Sequence, residues 1–139
     1  MYLLDTNVVS ELRKARSAKA DPGVVEWAQG VAAGDLFISA VTLLELETGV
    51  LRIQRKDASQ GAILRTWIDQ HVLPVFAGRV LAIDSAVALR CARLHIPDPR
   101  QETDALIAAT ALLHGMTVVT RNIRDFQHMG VPLLNPWRA

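Results

Sequence analysis

Aromatic residues are scarce in this chain, with Trp, Tyr and Phe making up 5% of its 139 residues. There is no stripe of rings on which successive bases could stack, as single-strand binders use. Packing therefore falls to Leu, Val, Ile and Ala, as it does in α/β layers. Cysteine is nearly missing too: Cys91 stands alone, which excludes an internal disulfide and a Cys-rich zinc site. It lies in an apolar-periodic helical stretch and reads as a small buried hydrophobe. Nor is there an excess of one charge. The formal net charge is +1, which predicts neither a nucleic-acid binder nor its opposite. No apolar run approaches the ~18 residues of a membrane span, and no basic N-terminal region leads an apolar core of signal length. A cytoplasmic protein without membrane association is expected.

What is present describes a globular domain, half hydrophobic and 21% charged, long enough to bury a core without disulfide or metal staples. Repeats, low-complexity segments and linkers are absent, so one domain is expected over residues 1–139. Basic residues gather in three places: Arg13, Lys14, Arg16 and Lys19; Arg52, Arg55 and Lys56; and Arg121 with Arg124 beside a late carboxylate. Solvated helix faces account for such clusters first, phosphate patches second.

The chain is organised around its first seven residues. Tyr2, Leu3 and Leu4 form an apolar run too short for a helix, the mark of a strand buried on both faces of a parallel sheet. Asp5 ends it, at the strand edge where open α/β sheets bind ligands. Capping of the next helix explains an Asp there equally well, and Thr6 or Asn7 could also cap it. Helical spacing follows over residues 24–33, ending at Gly34. A second strand is expected at Leu36, Phe37 and Ile38, and a long helix over 41–56. In that helix Val41, Leu44, Thr48 and Leu51 share one face and Leu43, Leu46, Val50 and Ile53 the adjoining one, which leaves Glu45 at the margin with Thr42, Gly49 and Arg52. Gly49 leaves room for an approach. A helix over 58–72 is closed by Pro74. A strand over 80–83 precedes a helix that Asp84 caps, and a proline-marked loop leads to a helix over 101–114 that stops at Gly115. Thr117, Val118 and Val119 form the next strand, and 131–134 a short edge strand. This order implies a three-layer α/β/α domain with a mostly parallel central sheet.

In such a sheet four carboxylates reach one edge. Asp5 follows the first strand and Asp125 the fourth, while Glu45 and Asp104 lie in the first turns of helices that start near the same edge. Asp104 shares its helix face with Ala108 and Ala111, small residues that suit close packing or a cleft. Two unit charges about 4 Å apart repel by roughly 4 kcal/mol at an effective dielectric near 20. The acids stay together if protonated or if a cation neutralises them. A hard divalent ion, Mg²⁺ or Mn²⁺, is the simplest partner for oxygen ligands, and the chemistry it supports is phosphodiester hydrolysis. Thr120, Asn7 and Asn122 are polar groups at the same edge, although turn formation explains each of them as well.

Asp5-Thr6-Asn7 after an apolar strand, Glu45-Leu46 with Gly49, Thr103-Asp104-Ala105-Leu106-Ile107-Ala108-Ala109, and Thr120-Arg121-Asn122 with Asp125-Phe126 together resemble the PIN-domain ribonucleases. Among these the resemblance is to the VapC-type toxins of bacterial toxin–antitoxin pairs, and it covers the whole chain in order and spacing. It implies a Mg²⁺- or Mn²⁺-dependent endoribonuclease that cuts RNA, with Asp5, Glu45, Asp104 and Asp125 as the acidic, metal-holding quartet. It further implies that Thr120 is the hydroxyl residue near the metal and Asn7 the polar residue after the first Asp. An antitoxin partner and a homodimer are expected on the same ground. Glu47 is not a family position, and its side chain points about 200° around the helix from Glu45. Residues 96–102 match no fixed pattern. Two alternatives remain: a Mg²⁺-dependent α/β phosphatase or phosphotransferase, and a non-catalytic metal-binding module. The first is disfavoured because a haloacid-dehalogenase-type phosphatase wants a second Asp where Asn7 stands, and a receiver domain wants a Lys where Arg121 follows Thr120.

Overall fold

The computed structural model describes residues 1–138, apart from the side chain of Arg16; Arg16 in the first basic cluster and Ala139 at the end of the expected domain lie outside that description. Five parallel strands form one sheet in the order β3-β2-β1-β4-β5. They are β1 (Tyr2–Leu4), β2 (Leu36–Ser39), β3 (Val80–Leu81), β4 (Thr117–Val119) and β5 (Leu133–Leu134). The first strand of the chain is thus the central one, pairing Leu3 with Phe37 on one side and with Val118 on the other.

Alternation along the pleat divides the core. Leu4, Ile38 and Val119 point into one apolar cluster, whereas Leu3 and Val118 point into a second. Helices α1 (Thr6–Arg13), α2 (Pro22–Gln29), α3 (Ala40–Lys56) and α4 (Ala58–Trp67) cover the first face. On the other lies α7 (Glu102–His114), with α6 (Ser85–Leu94) packed behind it through Val87, Cys91, Ala105 and Ala109. This is the three-layer arrangement expected, and its sheet is parallel throughout.

Several local expectations change. The helix expected over 24–33 ends at Gln29, with Gly30 as its cap, and a separate 3₁₀ turn spans Ala33–Asp35. Pro74 does not close the helix before it. Residues Ile68–Val72 widen into a π turn, where the Leu73 N–H reaches back to the Ile68 carbonyl, and a short α5 (Leu73–Val75) follows. A proline removes one helical N–H and crowds the carbonyl four residues back, and the wider turn accommodates both. The strand expected over 80–83 stops at Leu81, leaving Ile83 at the surface. In α3 the buried surface is narrower than the apolar spacing predicts: Leu44 and Leu51 are exposed, and Thr42 is buried with Leu46 and Val50. The structure places Cys91 in the core and Asp84 at the α6 cap, as expected.

The order in which strands are added reverses at β1. The sheet grows outward to β2 and β3, then returns to β4 on the opposite side of β1. Beyond the C-terminal ends of β1 and β4 the connections diverge, and that gap is the crevice in which open α/β sheets hold ligands.

Candidate active site

Asp5 leaves β1 into this crevice, and its backbone N–H continues the sheet by donating to the Val119 carbonyl at 2.9 Å. It caps α1 itself, with Oδ1 accepting the Thr6 N–H at 2.8 Å. Capping and site placement are therefore not rival roles here, and neither Thr6 nor Asn7 is the cap. The other oxygen, Oδ2, accepts the Thr120 hydroxyl at 2.8 Å and the Asn7 amide at 3.3 Å. Thr120, wholly buried, stands beneath Asp5 at the end of β4, and its hydroxyl oxygen also accepts the Asn122 N–H at 3.0 Å. Asn7 reaches back across the crevice, where its Oδ1 accepts the Arg121 N–H at 3.3 Å.

Glu45 and Asp104 arrive from the two helical layers. Ser39 caps α3 by accepting the Val41 N–H, so Glu45 falls in the second turn. Its Oε1 accepts the Thr6 hydroxyl at 2.7 Å. Sequence reasoning gave Thr6 no such part, although its place directly after Asp5 was the available signal. Asp104 is set by Gln101, whose side-chain oxygen accepts both the Asp104 N–H at 2.8 Å and the Thr103 hydroxyl at 2.6 Å. Ala108 and Ala111 lie fully buried farther along α7.

Asp5, Asn7, Glu45 and Asp104 line one cleft of about 480 Å³, together with Thr6, Glu11, Arg121 and Trp137. Asp125 does not line it. Exposed in the short helix α8 (Ile123–Phe126), it is near enough for its charge to act on both Asp5 and Asp104. Burial pushes the Asp5 carboxyl above its ordinary range, against the lowering effect of the Thr120 and Thr6 hydrogen bonds, and the charges of Glu45 and Asp125 add to the rise. Asp104 is pushed up to about 6, by burial first and then by Asp5, Asp125 and Glu45. These groups resist ionisation together, which is the condition a cation relieves. The donors are all oxygen and suit a hard divalent ion.

Glu47 takes no part, being held in a two-pronged ion pair with Arg65 across α3 and α4 at 2.8 and 2.7 Å. Among the described residues, the one group that brings three possible ligand atoms within 4.8 Å of one another lies elsewhere, at Cys91, His95 and Glu102. The acids of the cleft are more widely set, as fits an ion that keeps several waters. The Cys91 group is poorly suited to metal. His95 Nδ1 accepts the Arg100 N–H at 2.9 Å, which puts the proton of the neutral ring on Nε2, the nitrogen facing Cys91 and Glu102. Burial, with the Glu102 charge, raises the Cys91 thiol as well. The cluster ties α6 to the start of α7.

Comparison with known proteins agrees with this geometry. Residues 2–132 match the model of the PIN domain. Toxin FitB of Neisseria gonorrhoeae is 35% identical over 142 residues, covering 99% of each chain. The VapC ribonuclease Y4jK of Sinorhizobium fredii is 34% identical over 142 residues, covering 99% of this chain and 98% of its own. The crystal structure of FitAcB from Neisseria gonorrhoeae superposes over 100% of both chains with a TM-score of 0.88 at 34% identity.

Proposed function

This chain belongs to the PIN-domain family, and from that premise we propose that it is an endoribonuclease toxin whose cleft hydrolyses RNA phosphodiester bonds with Mg²⁺ or Mn²⁺. The observation that carries the reading is the convergence of Asp5, Glu45 and Asp104 in one cleft, where burial and mutual repulsion raise Asp5 and Asp104. Asp5, Glu45 and Asp104 would hold the cation, with Asp125 adding charge from the rim. When bound, the ion supplies Lewis acidity at the scissile phosphate and toward an attacking water.

The chain's own residues prepare the site. Three donors fix Asp5: the Thr6 N–H on one oxygen, the Thr120 hydroxyl and Asn7 amide on the other. Its remaining lone pairs are left to face the cleft. The Thr6 hydroxyl orients Glu45, and Asn7 joins the end of β1 to the loop after β4 by way of the Arg121 N–H. Such preorganisation lowers the cost of arranging groups at the moment of reaction. The alternative of an aspartyl phosphatase is not favoured. Asn7 stands where a haloacid-dehalogenase-type phosphatase wants its second Asp, and the family match is to the PIN domain.

As with relatives described as toxins, the activity calls for restraint in the producing cell. A cognate antitoxin protein and a homodimeric toxin complete the proposal. Among the described residues no helix is long and apolar enough to cross a membrane. The test is cleavage of total cellular RNA by the purified chain with Mg²⁺ or Mn²⁺, with chelator, and by Asp5→Asn. Discrete fragments that require both the metal and Asp5 are expected. Absence of cleavage by folded protein under either metal would overturn the proposal.

A further inference from the structure

Arg121 is the sole cationic side chain among the residues that line the acid cleft, where it faces Asp5, Glu11, Glu45 and Asp104. An RNA backbone brings more negative charge to a floor that already repels it, so binding needs a fixed cation at the mouth. Arg121 is placed for that. Its guanidinium carbon stands 5.5 Å from the ring centroid of Trp137, and it forms no salt bridge among the described residues. A cation over an aromatic face is held by the ring's quadrupole and spends none of its N–H donors on it.

The indole is itself mounted firmly. After β5 the chain crosses to the start of α2, where the Arg138 N–H donates to Asp21 Oδ1 at 3.1 Å and the Arg138 side chain pairs with Glu26. Within the crossing, Asn135 Oδ1 accepts the backbone N–H of Trp137 at 2.9 Å. Gly23 lets the crossing lie flat, since a Cβ there would come within 2.5 Å of the Pro136 carbonyl oxygen. Trp137 is half-buried against the core cluster on the β1 side. These contacts fasten the segment after β5 on both sides of Trp137 and hold the indole beside the acid cleft.

We propose that Arg121 and Trp137 form an RNA subsite on the cleft rim, in which the guanidinium, seated on the indole, binds a backbone phosphate adjoining the one that is cut. Trp137 is a positioning residue for Arg121. The inference rests on the ribonuclease reading above and adds where the strand is gripped.

The test measures binding apart from cleavage. In full-length protein carrying Asp104→Asn, with Mg²⁺ present, a fluorescein-labelled, mixed-sequence single-stranded RNA is titrated by anisotropy over a series of salt concentrations. Arg121→Gln should weaken binding about tenfold and reduce the slope of log affinity against log salt by about 0.7, the release expected for one phosphate on a single strand. Trp137→Leu should weaken it by several fold, and Trp137→Phe, which keeps a ring face, should recover most of the loss. With Asp104 intact, Arg121→Gln should raise KM more than it lowers kcat. Arg121 is exposed, so its variant folds even if Trp137→Leu does not. Affinity and slope in the Arg121→Gln, Asp104→Asn protein equal to those of Asp104→Asn alone, with RNA still cut by the wild type, would overturn the subsite and leave the nuclease reading standing. Arg121-dependent binding in a protein that cuts no RNA under any metal would overturn the nuclease reading and leave the subsite.

Discussion

Replacing Asp104 by Asn should make the metal-free protein more stable while abolishing cleavage. Asp104 sits at about 6 instead of 3.8 because burial and three neighbouring acids oppose its ionisation. At 1.36 kcal/mol per pKa unit the face value is near 3 kcal/mol. Asp104 is only half-buried and water screens much of this, so about 1 kcal/mol is a fair expectation. A carboxyl whose folded pKa is raised binds its proton more tightly in the native state. Its favourable contribution is complete below the unfolded value near 4 and is lost as pH rises through about 6. At pH 8 the wild type therefore carries the penalty, which the neutral amide escapes. For a chain of this size that corresponds to a melting temperature roughly 3 °C higher for the variant. Thermal unfolding in chelator at pH 8 and again at pH 4.5 measures it, and the gap should narrow at the lower pH. Adding Mg²⁺ at pH 8 should raise the wild type far more than the variant, since only a state that binds the ion gains from it. A variant no more stable than wild type at pH 8, or a gap that does not change with pH, would refute the electrostatic account of the cleft.

Three other outcomes are expected. Metal affinity, followed by calorimetry with Mn²⁺, should fall about tenfold for each pH unit below 6, because Asp104 must lose its proton to serve as a ligand; an affinity flat from pH 7 to 5 would remove Asp104 from the ligand set. Thr120→Val deletes the buried hydroxyl that Oδ2 of Asp5 accepts at 2.8 Å and so removes a contribution that holds its carboxyl down. Mn²⁺ should bind about tenfold more weakly at pH 7, consistent with the ~1.5–3 kcal/mol of hydrogen bonds to charged groups, and unaltered binding would make Thr120 a turn residue only. Gly61→Ala would drive a Cβ to within 2.5 Å of Gln54 Cα where α3 and α4 meet. Overpacking of that kind costs about 1–3 kcal/mol, to be read as a lower melting temperature with cleavage per folded molecule unchanged.

The order of strands and helices was legible because most elements announce themselves locally, as in the buried run of β1, the glycine stop of α7 and the aspartate cap of α6. What escaped depends on contacts distant in sequence or on small adjustments of the backbone. Nothing around Pro74 announces that a π turn will absorb it. Leu44 and Leu51 carry the same periodicity as buried leucines, yet no layer lies over them. The acids were legible as residues bound for one edge, while the hydroxyl of Thr6 on Glu45 and the indole of Trp137 beside the cleft required the fold to be closed. Asp125 shows the converse: its position along the chain fits the quartet and its charge acts on Asp5 and Asp104, yet it is exposed in α8 and not among the residues that line the cleft.

The central strand is the first one made, and this bears on when the protein becomes dangerous. Thr120 lies 115 residues from the Asp5 carboxyl it supports, and β1 has a neighbour on its second side only after β4 exists. At roughly 5–20 residues per second on the ribosome, the first carboxylate waits on the order of ten seconds for the other wall of its site. An unfinished chain has the acids of β1 and α3 but neither the floor beneath them nor the arginine at the mouth. A chain that has not yet made β4 therefore lacks both the hydroxyl that supports Asp5 and the second neighbour of β1, so the site is assembled only after that strand exists.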